Sequence, residues 1–223
     1  MKINSRLKLI GDLIAQDSYP LDIGCDHALL SIYLVKERKL KQALASDNKH
    51  LPLKKALENV KYYHVEDKVR LIEANGLDSY NDKVDTVTIS GIGGLNINSI
   101  LDHHKDYFKT INTFIISPNN YQLSVKQKLT KYGYFIADEC LIKDKNIIYQ
   151  IIIFKKGKKH YSYKDLFLGP VLKIKKDPLI KEYYQKELTT KENLLKVLPK
   201  KYLHKRLITK KEIIYLKEML NKK

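Results

Sequence analysis

Short apolar runs alternate with stretches of helical period along residues 1–154. The first such stretch, 5–15, places Leu7, Ile10, Leu13 and Ile14 on one helical face. Leu21-Asp22-Ile23-Gly24 predicts a short strand ending in glycine, and residues 29–39 predict the helix after it. Ala43-Leu44-Ala45-Ser46-Asp47 reads as a second strand. A helix over 51–62 follows, with Pro52 in its first turn, where a missing N–H costs little. Strands over 69–74, 84–89 and 113–116 then alternate with helices over 96–103 and 122–132, and 134–137 and 147–154 close the segment as strands. This alternation predicts a parallel sheet covered by helices on both faces, a doubly wound α/β fold. No helical pattern separates the last two strands, so they fit an antiparallel hairpin.

Beyond Phe154 the pattern changes. Residues 155–169 read as a basic connector ending at Gly169-Pro170, and 170–223 as a helical appendage. Asp177-Pro178 has the form of an N-cap followed by proline in the first turn. Tyr184, Leu188, Leu195 and Leu198 form a heptad-like seam interrupted by Lys191, Pro199 stops that helix, and Ile213, Leu216 and Leu220 mark another. The expectation is a coiled-coil-like antiparallel hairpin turning near Lys200-Lys201.

Charge sharpens this division. Residues 1–154 hold 21 Lys and Arg against 18 Asp and Glu, whereas 155–223 hold 21 against 7. A Lys-rich codon bias, visible in 38 Lys to 4 Arg, would act on both segments alike, so the +14 of the second points to a polyanion partner. The length of 223 residues with 43% hydrophobic content supports a packed core. No apolar run reaches the length of a membrane span, and charges at Lys2, Arg6, Lys8 and Asp12 leave no room for a secretory apolar region. Cys25 and Cys140 stand apart from any metal-binding spacing, so a reduced cytoplasmic protein without metal is expected, and no protein partner is implied.

In open α/β sheets, ligands bind beyond the carboxyl ends of the strands. The first strand runs into Asp22-Ile-Gly24-Cys-Asp26-His27-Ala-Leu-Leu30, which lacks the three-glycine fingerprint of nicotinamide enzymes. The second ends in Asp47-Asn48, an acid at the spacing where ribose hydroxyls are bound. Asn75-Gly76-Leu77 follows the third, and its amide offers both a donor and an acceptor to a purine edge. Ser90-Gly91-Ile92-Gly93-Gly94 follows the fourth and Ser117-Pro118-Asn119-Asn120 the fifth. Each has a structural alternative: Asp26 or Asp47 as an N-cap, Gly93-Gly94 or Asn119 as turn residues. Five polar or glycine-rich strand ends in succession favour a ligand site.

Together these segments resemble the bacterial tRNA (adenine-22-N1)-methyltransferases, whose corresponding elements are D-I-G-S-D-H-A-Y-L, G-D-G-L, A-G-M-G-G and Q-P-N. The likeness spans the first domain, and the trailing hairpin also fits. Cys25, Asn75, Ser90, Ile92 and Ser117 depart from the family pattern, and Asn75 exchanges a charge for an amide. The resemblance implies a Rossmann-like domain that takes S-adenosylmethionine and methylates N1 of a tRNA adenine. It places Gly24 and Asp26 at the methionine end of the cofactor and Asp47 at its ribose, with Asp22, His27 and Asn48 as further cofactor contacts and His27 equally a structural hydrogen-bonding residue. Asn75, Gly76 and Leu77 fall at its adenine. Ser90 and Gly91 border the methyl group, and Gly93, Gly94, Pro118 and Asn119 the target base. Asp26 and Asn119 are the catalytic candidates. Lys200, Lys201, Lys205, Arg206, Lys210 and Lys211 are the candidate phosphate grips, with Tyr183, Tyr184 and Tyr202 either stacking on bases or packing the hairpin. A methyltransferase for another RNA or base atom, or a binding protein without catalysis, remain the alternatives.

Overall fold

The computed structural model describes residues 1–221. The chain divides into two compact units, Met1–Lys159 and the remainder from His160. In the first, α1 (Ser5–Leu13) precedes β1 (Pro20–Ile23), α2 (Leu29–Lys36), β2 (Ala43–Asp47), α3 (His50–Tyr62) and β3 (Val69–Glu73). After a 3-10 turn at Gly76–Ser79 come β4 (Thr86–Ser90), α4 (Gly94–His103), β5 (Thr113–Ser117), α5 (Gln122–Lys131), β6 (Tyr134–Asp144) and β7 (Ile147–Lys156). The sheet order is β3-β2-β1-β4-β5-β7-β6. The first five strands pair in parallel, and β7 runs antiparallel to both β5 and β6. The central strands β1, β4 and β5 are buried along nearly their whole length, as a sheet covered on both faces requires. One core joins α2, α3 and β2 through Ile32, Val35, Ala45, Ala56 and Val60. Another sets Ile10 and Ile14 against Leu30, Leu34, Ile115 and Ile153.

Several element ends differ from the sequence pattern for identifiable reasons. The helix expected over 29–39 stops at Lys36, because Lys39 turns to φ 60° and the Leu40 N–H returns to the Leu34 carbonyl. The helix expected from 96 begins at Gly94, whose N–H is taken by Asn120 Oδ1 at 3.1 Å, a cap from a distant loop. The closing hairpin is longer than the apolar runs. Polar Glu139 continues β6 because it is fully buried against Lys126 at 2.8 Å and accepts from Gln150 at 3.0 Å.

In the second unit, α6 (Tyr163–Leu168) opens on a capping box made by Ser162 and Asp165, so part of the basic stretch 155–169 is helical and β7 takes up its start. The hairpin is α7 (Leu179–Val197) and α8 (Leu203–Leu220). Pro178 itself holds the cap position, and Asp177 still takes the Leu179 N–H at 2.8 Å. The seam on α8 is Thr209, Glu212 and Leu216 rather than one led by Ile213. The interruption at Lys191 explains the shift: its ammonium meets Glu212 at 2.8 Å, and the Tyr163 hydroxyl donates to the same carboxylate at 2.6 Å. Among the described residues, no helix is long and apolar enough to cross a membrane.

Candidate active site

β1 has β2 and then β3 on one side and β4 on the other, so the connectivity reverses between β1 and β4. A doubly wound sheet leaves its crevice at such a point. A cavity of about 700 Å³ opens there, lined by Asp22, Gly24, Asp26, Asp47, Asn48, Asn75, Gly76, Ser90 and Gly91. Volumes of this order are those of cofactor sites.

Backbone conformation makes the cavity. Gly24, Gly76 and Gly91, each just past a strand, lie at φ 72°, 57° and 79°. The chain therefore turns sharply away and leaves main chain facing the space. A side-chain carbon at Gly24 would meet nothing closer than the cavity-lining Ile92 at 3.9 Å, so it would stand in the space itself. Asp26 at φ 49° and Ala28 at φ 55° continue that turn into α2. The helix takes Ala28 as its cap residue with no side-chain bond, so Asp26 is not spent as an N-cap. Its side chain is 70% exposed, 3.5 Å from the His27 ring.

Three carboxylates share this cavity. Asp22 is buried beneath the turn and accepts from the Thr88 hydroxyl at 2.8 Å. Burial pushes its carboxyl up to about 7; the Thr88 bond opposes the rise and the charge of Asp47 adds to it. Burial likewise pushes the Cys25 thiol upward, with Asp22 and Asp47 adding to the effect. Asp47 receives the Lys49 N–H at 3.0 Å and the Asp26 N–H at 3.4 Å, which joins the turns after β1 and β2.

The loops after β4 and β5 border the cavity and are fastened to each other. Gly91 N–H donates to the Ser117 carbonyl at 3.1 Å and Asn119 N–H to the Ile92 carbonyl at 2.9 Å. The Asn119 side chain donates to the Gly91 carbonyl at 2.6 Å. A side chain on Gly94 would stand 2.5 Å from the Asn120 carbonyl oxygen, so glycine is required where the loops touch. Gly93, Gly94, Pro118 and Asn119 do not line the cavity; Asn119 is tied to it through Gly91 and Ile92, which do. Leu77 is fully buried below the 3-10 turn. His27 is held by its carbonyl, which accepts from Asn59 at 2.9 Å, and neither residue lines the cavity.

Sequence reasoning missed two contributions. Asn96, Ser99, Ile100 and His103 line the cavity from one face of α4, a spacing visible in the sequence once that helix is known to start at Gly94. Arg6 and Asn4 reach it from the start of α1, where no motif marks them.

In the second unit, Lys200, Lys201, Lys205, Lys210 and Lys211 are exposed. Arg206 is committed elsewhere: its guanidinium donates to the Leu195 and Leu198 carbonyls and closes the end of α7. Tyr184 is buried with its hydroxyl on the Leu168 carbonyl, a packing residue, whereas Tyr202 is half exposed.

A family model for tRNA (adenine(22)-N(1))-methyltransferase matches residues 20–219. The chain is 26% identical over 195 residues to the tRNA (adenine(22)-N(1))-methyltransferase of Bacillus subtilis (strain 168), covering 84% of this chain and 82% of that protein. It superposes on Streptococcus pneumoniae Sp1610 in complex with S-adenosyl-L-methionine with a TM-score of 0.90 and 28% identity, over 99% of this chain and 100% of that one. For M. capricolum TrmK in complex with S-adenosyl-homocysteine the TM-score is 0.85 and the identity 27%, over 99% of each chain.

Proposed function

The chain belongs to the tRNA (adenine(22)-N(1))-methyltransferase family, and from that premise we propose that it transfers a methyl group from S-adenosylmethionine to N1 of adenine 22 in tRNA. The observation that carries the reading is the cavity at the sheet's reversal point, where Asp22, Gly24, Asp47, Asn75, Gly76 and Gly91 converge from four strand ends. The residues fit the cofactor: glycine turns leave room against the backbone, and the carboxylates and amide that line the cavity are groups able to pair with hydroxyls, an ammonium and a purine edge.

S-adenosylmethionine, when bound, supplies a methyl carbon already activated by its sulfonium. What remains for the chain is to bind, orient and neutralise. In this reading Asp47 holds the ribose, while Asn75 and Gly76 hold the adenine with an amide in place of the family's carboxylate. Gly24 and Asp22 border the methionine end. Gly91, Gly93 and Gly94, fastened by Asn119, shape the place of the target base, which must leave its stack to reach them. Adenine N1 carries a free lone pair, so no base has to deprotonate it first. Asp26, exposed at the turn and free of any capping duty, offers a carboxylate to the positive charge that the base acquires. The exposed hairpin lysines take phosphates, which gives affinity rather than base choice. In this reading the reaction runs in the cytoplasm, on tRNA free of membranes.

The test is methyl transfer from labelled S-adenosylmethionine to unmodified bulk tRNA, followed by digestion to nucleosides. N1-methyladenosine is expected, mapped to nucleotide 22 with single-site tRNA variants. Any other methylated nucleoside, or no label from folded protein, overturns the reading.

A further inference from the structure

Arg6 stands at the cavity with no acid to pair with among the described residues, and we propose that it grips the paired oxygens of a carboxylate or phosphate carried by a bound reactant. The proposal rests on reading the cavity as the methyl-transfer site.

With 38 Lys to 4 Arg, lysine is this chain's default cation, so the duty of each arginine is informative. Arg38 is consumed within the fold, donating to the Asp12 carbonyl at 2.9 Å and the Ile14 carbonyl at 3.1 Å. Arg206 is consumed in the same way at the end of α7. Arg6 differs. Among the described residues no carboxylate lies within ion-pair distance of it, and its one hydrogen bond, to Asn119 Oδ1, is long at 3.5 Å. Its guanidinium carbon lies 4.3 Å from the centroid of the Tyr149 ring, a cation–π contact that holds the group without an ion pair.

The fold goes to some length to put it there. Asn4 caps α1 by accepting the Leu7 N–H at 2.8 Å. Gly11 lets that helix settle on Tyr33, whose ring lies 2.7 Å from where a side-chain carbon would be, and the Tyr33 hydroxyl donates to Asp12 at 2.7 Å. Gly91 completes the arrangement, since a side chain on it would sit 3.2 Å from Arg6 Nη2. Besides Arg6, the acidic and basic residues lining the cavity are Asp22, Asp26, Asp47, Lys49, His103 and His104. Of these side chains the guanidinium is the one that presents paired N–H donors in a plane, the geometry that a two-oxygen ligand matches. Two reactants carry one: the methionine carboxylate of the cofactor and the phosphodiester beside the target adenosine.

Full-length wild type, Arg6→Ala and Arg6→Met would be compared, the second keeping the packing on Tyr149 without the charge. Dissociation constants are read by calorimetry for S-adenosylhomocysteine and for 5′-methylthioadenosine, which has no carboxylate, and by filter binding for unmodified tRNA. Loss of the grip is expected to weaken one ligand by roughly 10- to 100-fold. If S-adenosylhomocysteine weakens and 5′-methylthioadenosine does not, the ligand is the cofactor carboxylate. If only tRNA weakens, with a salt slope lower by about 1, it is a phosphate. All three constants within about twofold of wild type in folded variants would overturn the proposal. Wild type that binds no S-adenosylhomocysteine would instead sink the reading of the cavity, and this proposal with it.

Discussion

Asn119 holds the loop that Gly91 begins: its side-chain amide donates to the Gly91 carbonyl at 2.6 Å, and its own N–H donates to the Ile92 carbonyl at 2.9 Å. The loop after β4 turns through a glycine at φ 79° and has little to fix it from within. Asn119→Ala is therefore expected to lower kcat by roughly 10- to 100-fold through misplacement of the target base. The dissociation constant for S-adenosylhomocysteine should change by less than about threefold. Steady-state kinetics and calorimetry decide this, and a matched loss of cofactor binding would move Asn119 into the cofactor grip.

Asp26 occupies a left-handed conformation, φ 49°, that costs a side-chain-bearing residue about 1 kcal/mol. Glycine escapes that cost and gives back roughly 0.5–1 kcal/mol of chain entropy. Asp26→Gly should hold thermal stability near wild type while methyl transfer collapses, and Asp26→Asn should do the same with its cofactor affinity largely kept. Wild-type turnover in either variant would remove Asp26 from the mechanism.

The strand ends were legible because a glycine or a short polar residue after an apolar run carries its own conformational signal, as at Gly24, Asp47 and Gly91. What stayed hidden depends on contacts between distant segments. The start of α4 is capped by Asn120, 26 positions on. Arg6 reaches the cavity only because Gly11 lets α1 lie on Tyr33. The α8 seam was misread because burial of Glu212 depends on Lys191 and Tyr163, an arrangement that apolar periodicity cannot register. Arg206 looked like one more cation of a basic turn until its two carbonyl partners were placed.

Asp22 makes stability depend on pH in a direction unusual for a carboxylate. Its folded value is raised to about 7 from 3.8, chiefly by burial, so the native state holds the proton more tightly than the unfolded chain does. The stabilisation is complete below the unfolded value and is lost as pH rises through the folded one. Asp22→Asn keeps an acceptor for the Thr88 hydroxyl and removes the titration. Between pH 4 and pH 7 the variant's melting temperature should fall less than that of ligand-free wild type. Parallel curves would show that Asp22 does not titrate in this range.

Lys126 and Glu139, 2.8 Å apart and both buried, form an ion pair between α5 and β6. Removing one partner strands a charge, so Lys126→Met should cost about 3–5 kcal/mol in denaturant unfolding. The double variant Lys126→Met, Glu139→Leu should recover a large part of that loss. A single variant as stable as wild type would mean that water or another group takes over the carboxylate.

The hairpin's role separates cleanly from the cavity's when tested on the full chain. Lys200, Lys201, Lys205, Lys210 and Lys211 are exposed, so changing all five to glutamine leaves the seam of Thr209, Glu212 and Leu216 untouched. Each lysine that meets a phosphate contributes about 0.7–0.9 to the slope of log K against log salt. If three or more of them do, the slope should fall by about 2–4, and tRNA binding at physiological salt should weaken by at least tenfold. Arg206→Gln should instead lower stability with little effect on that slope, since its donors serve the Leu195 and Leu198 carbonyls. S-adenosylhomocysteine binding should stay at the wild-type value in the five-lysine variant. An unchanged salt slope there would place the phosphate contacts on other residues of the chain and remove these five lysines from the tRNA grip.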